Sequence, residues 1–184
     1  MGRPKKFSRD GVLERAIPVF WKQGFTSARL EDLETATGVN KSGLYNEFHG
    51  KEDLFLASLQ HYLETRSGFK VLSQEPLGWN NVEEFLKLGV SFSGVRRGCF
   101  AVNSMREIAV LPAEARKMLN GNLDQLGRLL VRNIEVEKPG MAADVIAGVI
   151  LTFFSGFCIE ENLARSRTAS LRKVAGLMQV VRAL

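Results

Sequence analysis

Thr37-Gly38-Val39-Asn40-Lys41-Ser42-Gly43-Leu44-Tyr45-Asn46-Glu47-Phe48-His49-Gly50-Lys51-Glu52-Asp53-Leu54 is the stretch on which the reading of this chain turns. It reads as the turn and second helix of a helix-turn-helix, running at once into a supporting helix. Gly38 supplies a turn, because glycine tolerates positive φ. Asn40 stands where an N-cap is wanted, its side chain able to accept a backbone N–H. Val39, Leu44 and Phe48 are apolar at helical spacing and can face a small core. Lys41, Ser42, Tyr45, Asn46 and His49 lie off that stripe and can reach phosphates or base edges. A short helix with an apolar back and a hydrogen-bonding front has the parts of a recognition helix.

Outward from this stretch the apolar period stays helical nearly throughout, and no alternating strand pattern runs for a useful length. The expected fold is all-α with about nine helices. A first helix spans about 9–22, with Val12, Leu13, Ala16, Ile17, Phe20 and Trp21 buried. Pro18 falls inside it and predicts a kink, and Gly24 a stop. A second helix covers about 29–36, the third 40–48 and a longer fourth 51–66. Residues 67–81, with Gly68, Pro76 and Gly78, read as a loop. Asn80 or Asn81 can cap a fifth helix to about residue 93, and residues 94–98 form a short turn. A sixth helix runs over 99–110. Pro112 opens a seventh that reaches about 134. The eighth covers about 141–165 and the ninth 169–182. The domain reading is residues 1–50 as a helix-turn-helix head and 51–184 as a larger helical body.

Twenty-five basic and 20 acidic residues among 184 give a net charge of +5. That balance is mildly basic, and its distribution says more. Arg3, Lys5, Lys6 and Arg9 cluster without an acid in the N-terminal arm, which suits phosphates or a minor groove. Two cysteines, Cys99 and Cys158, make no disulfide framework and no CxxC pair. With no signal-peptide pattern, they point to a cytoplasmic, nucleoid-associated protein. The longest uncharged run, 145–159, is shorter than the ~18–20 residues of a membrane span. It reads as a buried or dimer-forming helix, in which Gly148 and Gly156 would allow close approach of another helix. No cofactor motif is present.

These residues carry a resemblance. Ala16, Phe20, Gly24-Phe25, Leu30, Asp32, Leu33, Gly38-Val39, Leu44-Tyr45, Phe48, Lys51-Glu52 and Leu54 resemble the TetR family of bacterial transcriptional regulators. Gly2-Arg3-Pro4, Phe20-Trp21 and the segment Arg97-Gly98-Cys99-Phe100-Ala101-Val102-Asn103 with Glu107 resemble one subgroup of it. The resemblance implies an all-helical homodimer joined through the last two helices. It also implies a palindromic double-stranded DNA operator and a small-molecule effector that releases a repressor from it. At the positions before the second helix, where relatives have Thr followed by Ser or Thr, this chain has Ala28 and Arg29. Thr26 or Ser27 is then the expected cap, and Arg29 the expected phosphate contact.

Tyr45 and Lys51 are expected to hold phosphates, with a partly buried tyrosine and a snorkelling lysine as the alternative. Lys41, Ser42 and Asn46 are the candidates for base readout, with Asn40 at the helix start beside them. His49 is either a contact or an exposed helix-end residue. Phe92, Phe100, Phe153 and Phe157 are candidates to line an effector pocket, although aromatic residues at helical spacing more often build core. Asn103, Arg106 and Glu107 are polar on a helix that crosses the body, so each needs either a ligand or a neighbouring helix as partner. Cys99 and Cys158 allow a thiol- or metal-responsive regulator as a second reading, and a protein-binding helical adaptor is a third. No nucleophile–base pair, phosphate loop or paired metal ligands supports an enzyme.

Overall fold

A computed structural model describes residues 7–65, 68–90, 98–163 and 166–184. The N-terminal arm with Arg3, Lys5 and Lys6 and the candidate pocket residue Phe92 lie outside the described residues. Within them the chain is all-helical: α1 Arg9–Ser27, α2 Leu30–Thr37, α3 Lys41–Glu47, α4 Lys51–Thr65, α5 Gly68–Leu72, α6 Trp79–Lys87, α7 Phe100–Ser104, α8 Ala113–Glu135, α9 Ala143–Glu160 and α10 Arg167–Arg182. One-turn 3₁₀ segments follow α7 and α9. Against the expected helices, the addition is α5, a single turn inside the stretch read as loop. Gly68, Pro76 and Gly78 dominate that stretch locally, but Leu72 is fully buried and holds the turn in place.

Three local expectations are corrected. The α1 dihedrals leave helical values at Gly24 (φ 83°, ψ 173°), not at Pro18, which sits inside the helix. The cap of α6 is Gly78 rather than Asn80 or Asn81. Neither Thr26 nor Ser27 caps α2; Arg29 occupies that position without a side-chain bond.

Two apolar cores organise the chain. The first joins α1, α2 and α3 to α4, and continues into Phe100, Ala101, Leu111, Ala115 and Leu119. It therefore runs across residue 50, and the head shares its interior with the near end of the body. Edge-to-face and stacked rings knit it together: Phe20 on Phe55, Trp21 on Tyr62, and Trp21 on Phe100. The second core lies among α5, α6, α8, α9 and α10. Cys99 and Met105 pack against both.

The far end of the body depends on one polar side chain. Asn133 is fully buried on α8. Its Oδ1 accepts from Gly78 N–H and from Asn81 Nδ2, each at 3.0 Å. Its Nδ2 donates to Leu72 O at 2.7 Å and Leu129 O at 2.9 Å. All four of its bonding positions are used, which is the condition for burying an amide without penalty. It binds the end of α5 and the start of α6 to α8.

One helix, Ala143–Leu163, is long and apolar enough by length and composition to cross a membrane, because the helix extends past the uncharged run at both ends. One side of it packs against α8 and α7. Val145, Val149 and Ile159 are exposed on another, and a Cβ at Gly148 or Gly156 would meet nothing within 4 Å.

Replacing Asn133 by Ala leaves the Gly78 N–H and the Leu72 carbonyl without that partner, while the Asn81 amide keeps Gln74 O at 2.7 Å. Equilibrium denaturation is expected to show a loss of about 3 kcal/mol, in the range for orphaned buried polar groups plus a small cavity. A loss under about 0.5 kcal/mol, the level of ordinary surface substitutions, would mean the network does not hold the helices.

Candidate nucleic-acid interface

The α2–turn–α3 geometry follows from three residues. Gly38 adopts the left-handed conformation (φ 69°, ψ 16°), and its N–H donates to Glu34 O to close α2. Asn40 caps α3, its Oδ1 accepting from Gly43 N–H at 2.9 Å. Glu34 reaches across the turn to accept the Lys41 backbone N–H as well. Two of the orphan donors at the start of α3 thus have side-chain partners, and the acidic cap suits the positive end of the helix. Val39, Leu44 and Phe48 are buried as expected. Arg9 fixes the other end of α3: its guanidinium lies 3.1 Å from Glu47 Oε1 and stacks 4.6 Å from the Phe48 ring centroid.

With its back and ends held, α3 turns Lys41, Ser42, Tyr45 and Asn46 outward, and all four are exposed. Tyr45 is 46% exposed, unusual for a tyrosine in so small a head. The Lys41 ammonium sits 5.6 Å from its ring centroid. Arg29 is exposed at the start of α2. The structure thus brings Arg29, Lys41, Ser42, Tyr45 and Asn46 to the outside of the helix-turn-helix.

The other candidates are placed differently. Asn40 is occupied as a cap. His49 is exposed beside α4, where its backbone N–H donates to Asp53 Oδ2 at 3.0 Å and its ring lies 3.5 Å from the same oxygen. Lys51 points inward: Nζ donates to Thr26 O at 3.0 Å and Ala28 O at 3.2 Å, and sits 5.0 Å from the Phe25 ring centroid. It neutralises the carbonyl end of the segment before α2. Thr26 is held from the other side as well. The Glu107 carboxylate accepts the backbone N–H groups of Phe25, at 2.5 Å, and of Thr26, at 3.0 Å. This is possible because Gly24 has no side chain: a Cβ there would stand 2.4 Å from Glu107 Oε2.

Glu107 thus finds its partner in the head, not in a ligand. Burial raises its pKa, but the Thr26 hydroxyl, the Thr26 and Phe25 amides and the nearby Lys51 outweigh that, leaving the carboxyl below its usual range. Asn103 is buried in the body, its Oδ1 accepting from Asn162 Nδ2 at 2.9 Å and its Nδ2 donating to Cys99 O at 3.1 Å. Arg106 is exposed. Phe100 is core, while Phe153 and Phe157 stack on each other with centroids 5.6 Å apart. Of the described candidate effector residues, Asn103, Arg106 and Glu107 share a cavity that Phe100, Phe153 and Phe157 do not line. This cavity, of about 280 Å³ at the head–body junction, is lined by Trp21, Lys22, Asn103, Arg106 and Glu107. A smaller one of about 50 Å³ lies inside the body, between Tyr62, Phe85, Cys99, Leu126 and Phe154. No group of three or more metal-ligating side chains occurs among the described residues.

Sequence reading missed Glu34, Arg9 and Gly24 as positioning residues. The Glu34 role has a local signal, an acid just before the next helix start. The other two depend on residues far along the chain.

An exposed hydrogen-bonding helix on a capped helix-turn-helix, within an all-α chain, defines a helix-turn-helix DNA-binding protein. Residues 12–58 match the family model for bacterial regulatory proteins of the tetR family. The chain is 46% identical over 63 residues to the HTH-type transcriptional repressor ComR of Escherichia coli K12, a match spanning 34% of this chain and 30% of ComR. It is 32% identical over 115 residues to the uncharacterised HTH-type transcriptional regulator YezE of Bacillus subtilis 168, spanning 58% of each. These matches span less than two thirds of the relatives' length. A solved structure of the TetR family transcriptional regulator CifR, a cysteine-substituted form complexed with 26 bp double-strand operator DNA, superposes with a TM-score of 0.84 at 26% identity. That superposition covers 98% of this chain and 100% of CifR. Residues 12–58 are a DNA-binding domain of the tetR family, and the chain as a whole shares the fold of CifR; the relatives it matches are named as transcriptional regulators.

Glu107 yields a pH prediction. Its folded pKa lies below the ordinary value of 4.5. Its contribution is therefore complete above the unfolded pKa and lost as pH falls through the lower folded value. Amide exchange at Phe25 and Thr26 is expected to rise on acidification below about pH 4.5, in excess of global unfolding. Glu107→Gln, which keeps an acceptor but has no titratable proton, is expected to remove the extra step. An unchanged profile in Glu107→Gln would show that the carboxylate does not hold the segment.

Proposed function

We propose that the chain acts in the bacterial cytoplasm as a homodimeric transcriptional repressor that a small-molecule effector releases from a palindromic operator. The observation that carries the reading is the outward face of α3, exposed and hydrogen-bonding on a helix capped and stapled at both ends. The operator DNA named with CifR, and the repressor name of ComR, support carrying that role to this chain. Tyr45 and Arg29 hold phosphates, assisted by the arm with Arg3, Lys5 and Lys6. Lys41, Ser42 and Asn46 meet base edges in the major groove. Lys51 acts by positioning Thr26 and Ala28 rather than by gripping DNA.

The dimer forms through α9 and α10. Val145, Val149, Ile159 and Val180 are large apolar residues left exposed, with Gly148 and Gly156 open between those on α9. A second copy covers this face and explains an α9 more apolar than a core alone requires. The effector enters the body cavity beside Tyr62, Phe85 and Phe154 and must enlarge it, since about 50 Å³ holds only a few water-sized molecules.

The test is footprinting of the purified protein on selected genomic fragments at two salt concentrations. Protection of a palindrome, weakening steeply with salt, is the expected outcome. Tyr45→Ala is expected to weaken every sequence alike. Asn46→Ala or Lys41→Ala is expected to relax preference at single positions, by about 1–3 kcal/mol each. Normal operator binding by Tyr45→Ala would remove this face from the interface. Absence of selective protection at any salt would favour the protein-binding adaptor.

Val149→Arg places a charge in the α9 face. Sedimentation is expected to shift the protein toward monomer while its circular dichroism stays helical. A wild-type protein that is already monomeric at micromolar concentration would remove the dimer from the proposal.

A further inference from the structure

Cys99 sits at the seam of the two cores, immediately before α7, and Cys158 sits on α9, fully buried. The chain brings the residue before Cys99 against the backbone of Cys158. An ideal Cβ on Gly98 would fall 2.2 Å from Cys158 O and 3.2 Å from its Cα, so only glycine lets this strand of backbone lie against α9. Cys99 itself packs against the second core, of which Cys158 is a member. From the other side the Tyr62 hydroxyl donates to Cys99 Sγ at 3.5 Å, and it accepts the Phe100 N–H at 3.3 Å. Cys99 is half-buried and lines the small body cavity, whereas Cys158 does not line it.

We propose that Cys99 and Cys158 form an intramolecular disulfide when a small hydroperoxide enters the body cavity, and that this bond shifts operator binding. The regulatory half rests on the DNA-binding reading; the covalent half does not. In the first step the Cys99 sulfur, as thiolate, attacks one peroxide oxygen. The S–O bond forms, the O–O bond breaks, and the departing oxygen takes up the proton that the Cys99 thiol released, leaving as water or an alcohol. In the second step Cys158 attacks the sulfenic sulfur. The S–S bond forms, the S–O bond breaks, and the hydroxyl leaves as water with the Cys158 proton. Two thiols lose two electrons and the peroxide gains them.

The order of attack follows from exposure. Cys99 meets the cavity. Burial, then the proximity of Cys99 and Glu161, pushes the Cys158 thiol far up, so it stays protonated until a sulfenic partner is beside it. Burial and the neighbouring Cys99 hold the Tyr62 phenol well above its usual pKa, so it remains a proton donor toward Cys99. A disulfide takes the Cys99 sulfur toward α9 and away from that hydroxyl. Tyr62 belongs to α4, the same helix whose first residue, Lys51, holds the segment before α2. A disulfide needs Cα atoms about 4.4–6.8 Å apart, and the residue next to Cys99 already lies against the Cys158 backbone.

The test treats the full-length reduced protein with hydrogen peroxide and maps its peptides without reduction. Loss of two hydrogen masses in a species linking the Cys99 and Cys158 peptides of one chain is the expected result. Cys158→Ala is expected to stop at a Cys99 sulfenic acid that dimedone traps, and Cys99→Ser to leave Cys158 reduced. Sulfenic or higher acids at Cys99 in the wild type without the link, or a link only between chains, would overturn the proposal. Operator affinity is then measured on the linked protein. A change on the order of tenfold, reversed by dithiothreitol and absent in Cys158→Ala, is expected for a coupled site. A disulfide that forms without changing affinity for a DNA the reduced protein binds would overturn the regulatory half alone.

Discussion

The carboxylate of Glu107 is the interaction on which the placement of the DNA-facing helix depends. It reaches from the 3₁₀ turn after α7 into the break that Gly24 makes in α1, and accepts two successive amides there. Those amides begin the segment that leads into α2, so the body sets where α2 starts. Lys51 holds the carbonyls of the same segment from the first turn of α4. An anion on the amides and a cation on the carbonyls fix both backbone faces, and their mutual attraction adds to the hold. Charge-assisted bonds of this kind are roughly twice as strong as neutral ones. A head held this way moves with two body-facing elements together.

That arrangement makes α4 a lever rather than a spacer. Lys51 touches the head at one end, and Tyr62 touches Cys99 and Phe100 further along. The helix rises about 16 Å between them at 1.5 Å per residue. The aromatic cluster of Trp21, Phe55, Tyr62 and Phe100 joins α1, α4 and α7 along the same line. Cores this closely packed have few intermediate arrangements, so a displacement at Tyr62 is passed on rather than absorbed. Cavities border this line in the body beside Tyr62 and at the head–body junction beside Glu107.

The head was legible in the sequence because its determinants are local. Gly38, Asn40 and Leu44 act on residues within a few positions, and spacing alone showed the turn, the cap and the buried face. The roles of Lys51 and Glu107 were not legible for the opposite reason. The Glu107 bonds close over a separation of 82 residues, to Phe25, and nothing in the local pattern distinguishes that partner from a ligand. Lys51 sits in a motif that suggests phosphate, yet its ammonium donates to two backbone carbonyls. The α5 turn was hidden by the glycines and proline around it, since breakers are read locally while Leu72 is held by burial. Asn133 was hidden too, because an asparagine on a polar-looking helix gives no sign that all its bonds are internal.

The composition of α9 ties these observations to assembly. A helix serving one core needs an apolar stripe on one side, and Ile146, Ile150, Phe154, Phe157 and Cys158 supply it. Val145, Val149 and Ile159 then have no role in that core, and the open glycines between them weaken the helix without an internal packing gain. Exposed apolar residues on a glycine-spaced face make sense against a second helix surface. The same helix carries Cys158 on its buried side. The proposed bond from Cys99 to that residue would bear on α9 as well as release Tyr62, so the two cysteines and the proposed assembly face would share one rigid element. In the dimer proposed above, covalent change at the two cysteines would reach the heads through α4 within a subunit and through α9 between subunits.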